Sequence, residues 1–314
     1  METAETLTSA RCPDPLTRAP RWGGDDSPTR GRLLLPPAAL QGAIVAMIGR
    51  DTAAEGIQLS DAQRMTHFPA SVLLSLSWYQ GLRSGRIHGA GDAAQWQPFG
   101  SDMVVTGSQS EPSSFWTPDH GRGCLICFTA DVAQHLFGID PATVIDRHLP
   151  ADEVMDSSWR PMFDELLATR SDAESMAVVR RHVAPRWQAV LGRSGSTPSL
   201  RQVGRQWVNR LAWQANEWRR GQSPRQVERR IKSYSGRSLR DWETLVRTEG
   251  LFFSARSRHE AGEPFDWAAL AQDEGFSDQS HLIRICRRIC GFTPSEFAHR
   301  FVHDESFWVY RLWV

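Results

Sequence analysis

The chain has 314 residues, of which 40% are hydrophobic and 23% are charged, as in an ordinary globular protein with one or two domains. Acidic and basic residues balance at 36 each, but residues 1–200 carry a net charge of −5 and residues 201–314 a net charge of +5. Five cysteines form no disulfide framework, and the chain has neither an apolar run of membrane-spanning length nor a secretory leader, so we expect a cytoplasmic protein without membrane contact.

The N-terminal part is predicted to be a β-rich domain that follows a flexible leader. Residues 1–32 show no hydrophobic periodicity and contain Pro- and Gly-rich stretches, which favour a loose leader. From residue 33, short apolar runs alternate with Gly and Pro, a pattern typical of an antiparallel sandwich or barrel. Strands are predicted at 72–79, 103–106 and 123–128, a short helix at 131–137, and helices between 150 and 191. We expect residues 33–192 to sense a ligand or to oligomerise.

A Gly- and Ser-rich linker at 192–198 predicts a domain boundary, with a second domain at 193–314. The segment 219–258 carries 11 basic and four acidic residues, an asymmetry that suggests contact with nucleic acid. Helical periodicity continues through this part of the chain, which predicts an all-α domain with two similar units. The predicted fold class is therefore α+β and multidomain, with a sandwich- or barrel-like N-terminal domain and an all-α C-terminal domain.

The first unit, at about 207–240, begins with a long Arg- and Trp-rich helix. Ser223 and Gln226 form a capping box around Pro224, which predicts the start of a second helix. Gly236 is expected to end that helix, and Ser238 to cap the next one. This arrangement predicts a helix-turn-helix.

The second unit, at about 266–300, is predicted from the same kinds of cap and glycine. Asp266 is predicted to cap a short helix over 267–274, and Gly275 to take a left-handed conformation after it. Ser277 then caps a helix that ends at Gly291. The buried stripe of this helix is predicted at positions spaced by four and three residues, namely Leu282, Cys286 and Ile289. Thr293, Pro294 and Glu296 predict a further capped helix.

The second unit resembles the AraC/XylS family of transcription regulators. The residues that carry the resemblance are Leu270–Ala271, Gly275–Phe276–Ser277–Asp278–Gln279–Ser280–His281–Leu282, Arg287–Arg288 and Gly291–Phe292–Thr293–Pro294–Ser295–Glu296–Phe297. The resemblance extends from roughly Leu200 to Arg300, and it departs from the family pattern at Cys286 and at Asn216–Glu217. The stretch Thr66–Ser71 is similar to sensor domains fused to such regulators. The resemblance implies a regulator that binds double-stranded DNA.

Candidate DNA-binding residues lie on the polar faces of the two second helices. Arg229 lies six residues after Ser223 and Arg284 lies seven residues after Ser277, and arginine can bond guanine O6 and N7 together, so these two are predicted to read bases. Gln279 suits adenine or phosphate. The other candidates are expected to hold phosphates or to form salt bridges. The full set is Arg225, Gln226, Arg229, Arg230, Lys232, Gln279, Ser280, His281, Arg284, Arg287 and Arg288.

The sequence predicts a transcription regulator rather than an enzyme, because no nucleotide-binding, metalloprotease or serine-hydrolase motif is present. No catalytic residue, cofactor or metal site is expected. Candidate partners besides DNA are a small-molecule effector, a second copy of the chain and RNA polymerase.

Two alternatives remain open. In one, the N-terminal domain only dimerises and binds no ligand. In the other, a DNA-repair or DNA-modifying protein uses Cys12, Cys124 or Cys127 as a reactive thiol. For an effector site, Trp78, Trp96 and Trp116 are candidates to line a cavity, and His67 is a further candidate.

Overall fold

The computed structural model describes residues 12–191, 200–273 and 279–313. Its N-terminal part contains ten antiparallel strands in two sheets. The strands are β1 (Gly31–Leu34), β2 (Ala46–Asp51), β3 (Met65–Phe68), β4 (Leu74–Gln80), β5 (Gly85–His88), β6 (Gln95–Pro98), β7 (Met103–Thr106), β8 (Ser113–Trp116), β9 (Arg122–Phe128) and β10 (His148–Pro150). One sheet has the order β1-β2-β9-β4-β7-β10 and the other β3-β8-β5-β6. This sheet region confirms the predicted β-rich N-terminal domain.

The alternation of residues along β4 explains how the larger sheet is used on both faces. Successive strand residues face opposite ways, so Leu76 and Trp78 lie on one face and Ser75 and Ser77 on the other. Leu76 and Trp78 are fully buried in the main hydrophobic core. The serines face the space between the two sheets, where they line a cavity.

The helices cover the outer face of the larger sheet and then build the C-terminal domain. They are α1 (Ala130–His135), α2 (Ala151–Val154), α3 (Arg160–Ala168), α4 (Asp172–Leu191), α5 (Leu200–Arg219), α6 (Pro224–Ser235), α7 (Leu239–Glu260), α8 (Trp267–Asp273), α9 (Gln279–Cys290), α10 (Pro294–His303) and α11 (Trp308–Trp313). Helix α3 packs beside α4 and contacts β4. The helical C-terminal region confirms the all-α prediction.

The two domains share one continuous hydrophobic core. It runs from Leu40 and Trp78 in the β region to Phe252 and Phe297 in the helical region. The last helix, α11, follows α10 and packs on β1 and β3 of the N-terminal domain. Two polar contacts reinforce this packing: Trp308 Nε1 donates to Thr66 Oγ1 at 3.0 Å, and Arg50 pairs with Glu305 at 2.7 Å.

Residues 16–25, which belong to the predicted flexible leader 1–32, lie against the C-terminal helices. Arg18 binds Glu296 of α10 through two hydrogen bonds of 3.2 and 2.7 Å. The backbone N–H of Arg21 donates to the carbonyl of His303, and the carbonyl of Ala19 accepts from the N–H of Glu305. The first strand then begins at Gly31, slightly before the predicted start of the β domain.

Several strands, a helix cap and two left-handed glycines are found where the sequence predicts them. The strand at 103–106 is confirmed at Met103–Thr106, and the one at 123–128 forms as Arg122–Phe128. Ser223 and Gln226 form the predicted capping box, and Gly236 and Gly291 are left-handed, with φ values of 83° and 85°. The predicted linker at 192–198 and the predicted turn residues Gly275 and Ser277 lie outside the described residues. Within the described part of the chain, no helix has the length and apolarity needed to span a membrane.

Candidate nucleic-acid interface

Helix α6 presents a basic face to solvent because its apolar residues are confined to the opposite side. Ser223 Oγ accepts the backbone N–H of Gln226, and the Gln226 side chain accepts the N–H of Ser223, so the first turn is closed. Val227 and Ile231 are buried at 2% and 4% exposure. The candidate residues Arg225, Gln226, Arg229, Arg230 and Lys232 are all exposed.

The exposed cations of α6 differ in how they are held. Lys232 pairs with Glu228 at 3.0 Å, and the guanidinium of Arg230 lies 4.3 Å from the ring centroid of Trp218. Arg225 and Arg229 form no ion pair or hydrogen bond with any residue that the structure describes. These two guanidinium groups therefore keep all five donors for an external acceptor.

Helix α9 repeats this arrangement. Leu282, Cys286 and Ile289 are buried, as predicted, at 0%, 0% and 3% exposure. Ser280, Arg284, Arg287 and Arg288 are exposed, and His281 is half-buried. The side chain of Gln279 lies outside the described set.

The cations of α9 also fall into two groups. Arg288 lies 3.5 Å from Asp241 in the first turn of α7, so it links the second unit to the first. No partner among the described residues engages Arg284 or Arg287. Both helices thus carry exposed arginines that have no partner among the described residues, and such groups suit the phosphates and base edges of a DNA groove.

The helix after each unit is capped by its own sequence. Ser238 Oγ accepts the N–H of Asp241 at the start of α7, and Thr293 Oγ1 accepts the N–H of Glu296 at the start of α10. At the start of α10 the Glu296 side chain does not accept the backbone N–H of Thr293 in return, because its carboxylate binds Arg18 and Arg300. These cations lower the pKa of Glu296 to about 2.

A cavity of about 170 Å³ lies between the two β-sheets. Small side chains at inward positions create it, because Ser75, Ser77 and Gly123 stand where a sandwich core would hold larger residues. Apolar side chains complete most of the wall: Ile48, Phe68, Leu73, Phe99, Phe115 and Leu125. The described lining contains Arg50 and Arg64 but no acidic residue. Trp308 and Val309 of α11 close one part of it, so the C-terminal segment is also part of the wall.

The tryptophans and the histidine that were predicted to line a cavity do not line this one. Trp78 points into the main core, on the face of β4 away from the cavity, because its place in the strand has the opposite parity to Ser77. Trp96 and Trp116 pack against each other in a small separate cluster with Met65 and Ile87. His67 contacts Phe292 and Phe307 of the C-terminal domain instead of the cavity. The serines alternating along β4 were the sequence signal that could have revealed the cavity.

The cysteine thiols of the N-terminal domain are poorly suited to nucleophilic chemistry. Burial raises the pKa of Cys124 and of Cys127 to about 12, and it also raises the pKa of Cys12. A thiol with such a pKa carries almost no thiolate at neutral pH, and the thiolate is the reactive form. The geometry therefore favours packing over chemistry at these positions.

Comparison with known proteins gives a match at the second unit. Residues 258–299 match the family described as bacterial regulatory helix-turn-helix proteins, AraC family. A search of curated proteins finds no match.

Some solved structures are similar at low identity. ToxT from Vibrio cholerae is 11% identical, with 75% of this chain and 96% of that chain covered and a TM-score of 0.35. An apo ToxT variant from Vibrio cholerae strain SCE256 is 11% identical, with 81% and 97% covered and a TM-score of 0.38. The AraC-like transcriptional activator CuxR is 12% identical, with 74% and 86% covered and a TM-score of 0.27. All three TM-scores are low, so these likenesses are distant.

Proposed function

We propose, from the AraC-family helix-turn-helix that residues 258–299 carry, that this chain is a sequence-specific transcription regulator with an effector site in its N-terminal domain. The observation that supports DNA reading is the pair of helices α6 and α9, whose exposed arginines lack partners among the described residues. The two helices enter adjacent major grooves, and the bases they read lie about 10 base pairs apart.

Arg284 and Arg288 provide a matched pair for testing base reading, because both are exposed on α9 and, within the described part of the chain, Arg288 has an ion-pair partner and Arg284 has none. The full-length protein and each alanine variant are bound to a randomised DNA library at two salt concentrations. Arg284→Ala costs about 1–3 kcal/mol and relaxes preference at one cluster of bases. Arg229→Ala does the same at a cluster about one helical turn away. Arg288→Ala weakens all sequences equally and lowers the salt slope by about one unit.

Two results would contradict this assignment. If Arg284→Ala and Arg288→Ala give the same uniform loss, Arg284 supplies only charge. If the base clusters altered by Arg229→Ala and Arg284→Ala do not lie about one turn apart, the two helices do not read adjacent grooves.

The effector site is the cavity between the sheets. Its volume of about 170 Å³ is close to that of an engineered apolar cavity of about 150 Å³ that holds benzene, so it suits a compact and mainly apolar molecule. The hydroxyl groups of Ser75 and Ser77, together with the guanidinium groups of Arg50 and Arg64, are among the polar groups of the lining that can orient such a ligand.

The effector proposal is tested by thermal-shift screening of the full chain against compact, mainly apolar compounds. Ser77→Leu fills the cavity from a buried position and is expected to abolish the shift while leaving the DNA-reading face of α9 unchanged. A compound that stabilises both proteins equally binds elsewhere. A screen with no stabilising compound would support an N-terminal domain that binds no ligand.

A further inference from the structure

Helices α6 and α9, which are proposed to read DNA, are called here the first and the second recognition helix. The first recognition helix ends against a loop of the N-terminal domain. Gly236 follows α6 in the left-handed conformation, and a β-carbon at this position would overlap Cδ1 of Ile145. The next residue, Arg237, places Nη2 at 3.3 Å from both carboxylate oxygens of Asp146. The Arg237 side chain is only 10% exposed, and its guanidinium lies 5.2 Å from the ring of Trp242. The corner after α6 is therefore fixed by apolar contact and by charge.

The second recognition helix ends on neighbouring loops of the same domain. The backbone N–H of Ala70 donates to the carbonyl of Ile289 at 2.7 Å, so a main-chain hydrogen bond joins the last turn of α9 to the N-terminal domain. Gly291 is also left-handed, and a β-carbon there would lie 3.5 Å from Cγ of Pro112. The two helix-turn-helix units thus present the equivalent glycine corner to the same domain.

The loops that receive the two corners are bonded to one another. Ser110 Oγ donates to Asp146 Oδ2 at 2.7 Å, and the N–H of Asp146 donates to the carbonyl of Ser108 at 2.9 Å. Ser71 and Gln109 exchange two backbone hydrogen bonds of 3.0 and 2.9 Å. Residues 70–71, 108–112 and 145–146 therefore form one connected surface, named here the corner surface.

Asp146 has a backbone conformation that its hydrogen bonds stabilise. Among the described residues it is the one non-glycine residue with positive φ, at 57°. Asp and Asn adopt this region at a lower cost than other residues with a β-carbon. The conformation directs the carboxylate to Ser110 and Arg237 together, so it joins the corner surface to the first unit.

We propose that the corner surface is a specificity-determining element that fixes the two recognition helices relative to each other and thereby sets the spacing between the two base clusters that the protein accepts. The inference rests on the proposed function, because it assumes that both helices read DNA. One base pair of added spacing rotates the second cluster by about a tenth of a helical turn, which rigidly held helices cannot follow. Helices released from the corner surface can follow it.

The test measures binding of the full-length protein to synthetic sites in which the two selected clusters are separated by the preferred spacing, or by one or two additional base pairs. Asp146→Asn removes the charge that faces Arg237 but keeps a residue suited to positive φ. Pro112→Ala reduces the contact with Gly291 at the other corner. Each is expected to lower the ratio of affinities between preferred and lengthened sites by about fivefold or more.

The control is Asp102→Asn, which removes the same charge from an exposed turn that precedes β7. A change in net charge alters affinity for all sites together, so it cancels from the ratio. Binding to a site with only one cluster, and the melting temperature, are measured for every variant. Unchanged single-cluster binding together with a flattened spacing profile supports the proposal, since a general loss of folding would lower both.

Two outcomes overturn the inference. In the first, Asp146→Asn and Pro112→Ala keep the wild-type spacing profile. In the second, both variants weaken every spacing and the single-cluster site by the same factor. A wild-type protein that selects no base sequence would instead refute the proposed function, so the two failures are distinguishable.

Discussion

At the scale of single residues, His67 is an uncharged side chain at the contact between the domains. Its Nδ1 lies 2.8 Å from Ser114 Oγ, and its ring packs at 5.3 Å from Phe292 and 5.5 Å from Phe307. Burial, with a smaller contribution from the charge of Arg300, lowers the pKa of His67 to about 3. The folded protein therefore keeps this histidine neutral at every pH where the unfolded chain would begin to protonate it.

This difference predicts a loss of stability in mild acid. Because the folded pKa lies below the unfolded value of 6.5, the contribution is complete above pH 6.5 and declines as the pH falls towards 3, by at most about 1.4 kcal/mol per unit. Thermal unfolding between pH 7 and 5 should show a shallower pH dependence for His67→Gln than for the wild type. His88→Gln, which changes an exposed histidine, should keep the wild-type slope. Equal slopes for all three proteins would contradict the assignment.

At the scale of elements, the start of α6 depends on a cap that the sequence encodes completely. Ser223 accepts one backbone N–H, Gln226 closes the reciprocal bond, and Pro224 stands at the first helical position. A neighbouring serine, Ser233, lies exposed within the same helix. The two serines therefore separate the effect of the cap from that of removing a hydroxyl.

Ser223→Ala is expected to destabilise the protein by about 1 kcal/mol, because an orphan N–H of the first turn loses its acceptor. Ser233→Ala should change stability by less than about 0.5 kcal/mol, as for other exposed surface substitutions. Chemical denaturation of both variants measures the difference. A cap variant as stable as the Ser233 variant would show that packing of Val227 and Ile231 alone holds the helix.

Caps, left-handed glycines and buried stripes were predictable from sequence because each depends on residues a few positions apart. Ser223, Gly236 and the stripe of α9 are of this kind. The pairing of Arg288 with Asp241, 47 residues away, depends instead on how helices pack. The cavity escaped prediction for the same reason, since its wall combines strands from two sheets with Trp308. Features that depend on neighbouring residues could therefore be predicted from the sequence, whereas contacts between distant residues could not.

At the scale of the whole molecule, one buried ion pair joins the domains. Arg50 of β2 and Glu305 before α11 are 2.7 Å apart and are 7% and 3% exposed. Burial first, and the neighbouring Arg30 to a lesser degree, lower the pKa of Arg50 to about 10, while Glu305 opposes that effect. The guanidinium remains charged at neutral pH and therefore requires its partner.

Glu305→Ala is expected to destabilise the full chain by about 3–5 kcal/mol, because it leaves a buried cation without its counter-ion. The comparison is Arg18→Ala, which breaks the pair with Glu296, where the Arg18 side chain is 57% exposed. That exposed pair should be worth less than about 1 kcal/mol. Denaturant unfolding of both variants gives the two free energies. Similar costs for the two variants would show that the Arg50 pair is not the stronger link.

The partner of Arg50 lies 255 residues further along the chain, and this separation has a consequence for synthesis of the protein. During synthesis, the segment of the chain that forms the β-sheets leaves the ribosome long before Glu305, Trp308 and Val309 are made. Until then the nascent sheets hold an unpaired cation and an open cavity where the wall formed by α11 is missing. Contacts between such distant residues form late, because loop closure must come first. The N-terminal domain therefore completes its folding only after Glu305, Trp308 and Val309 have emerged.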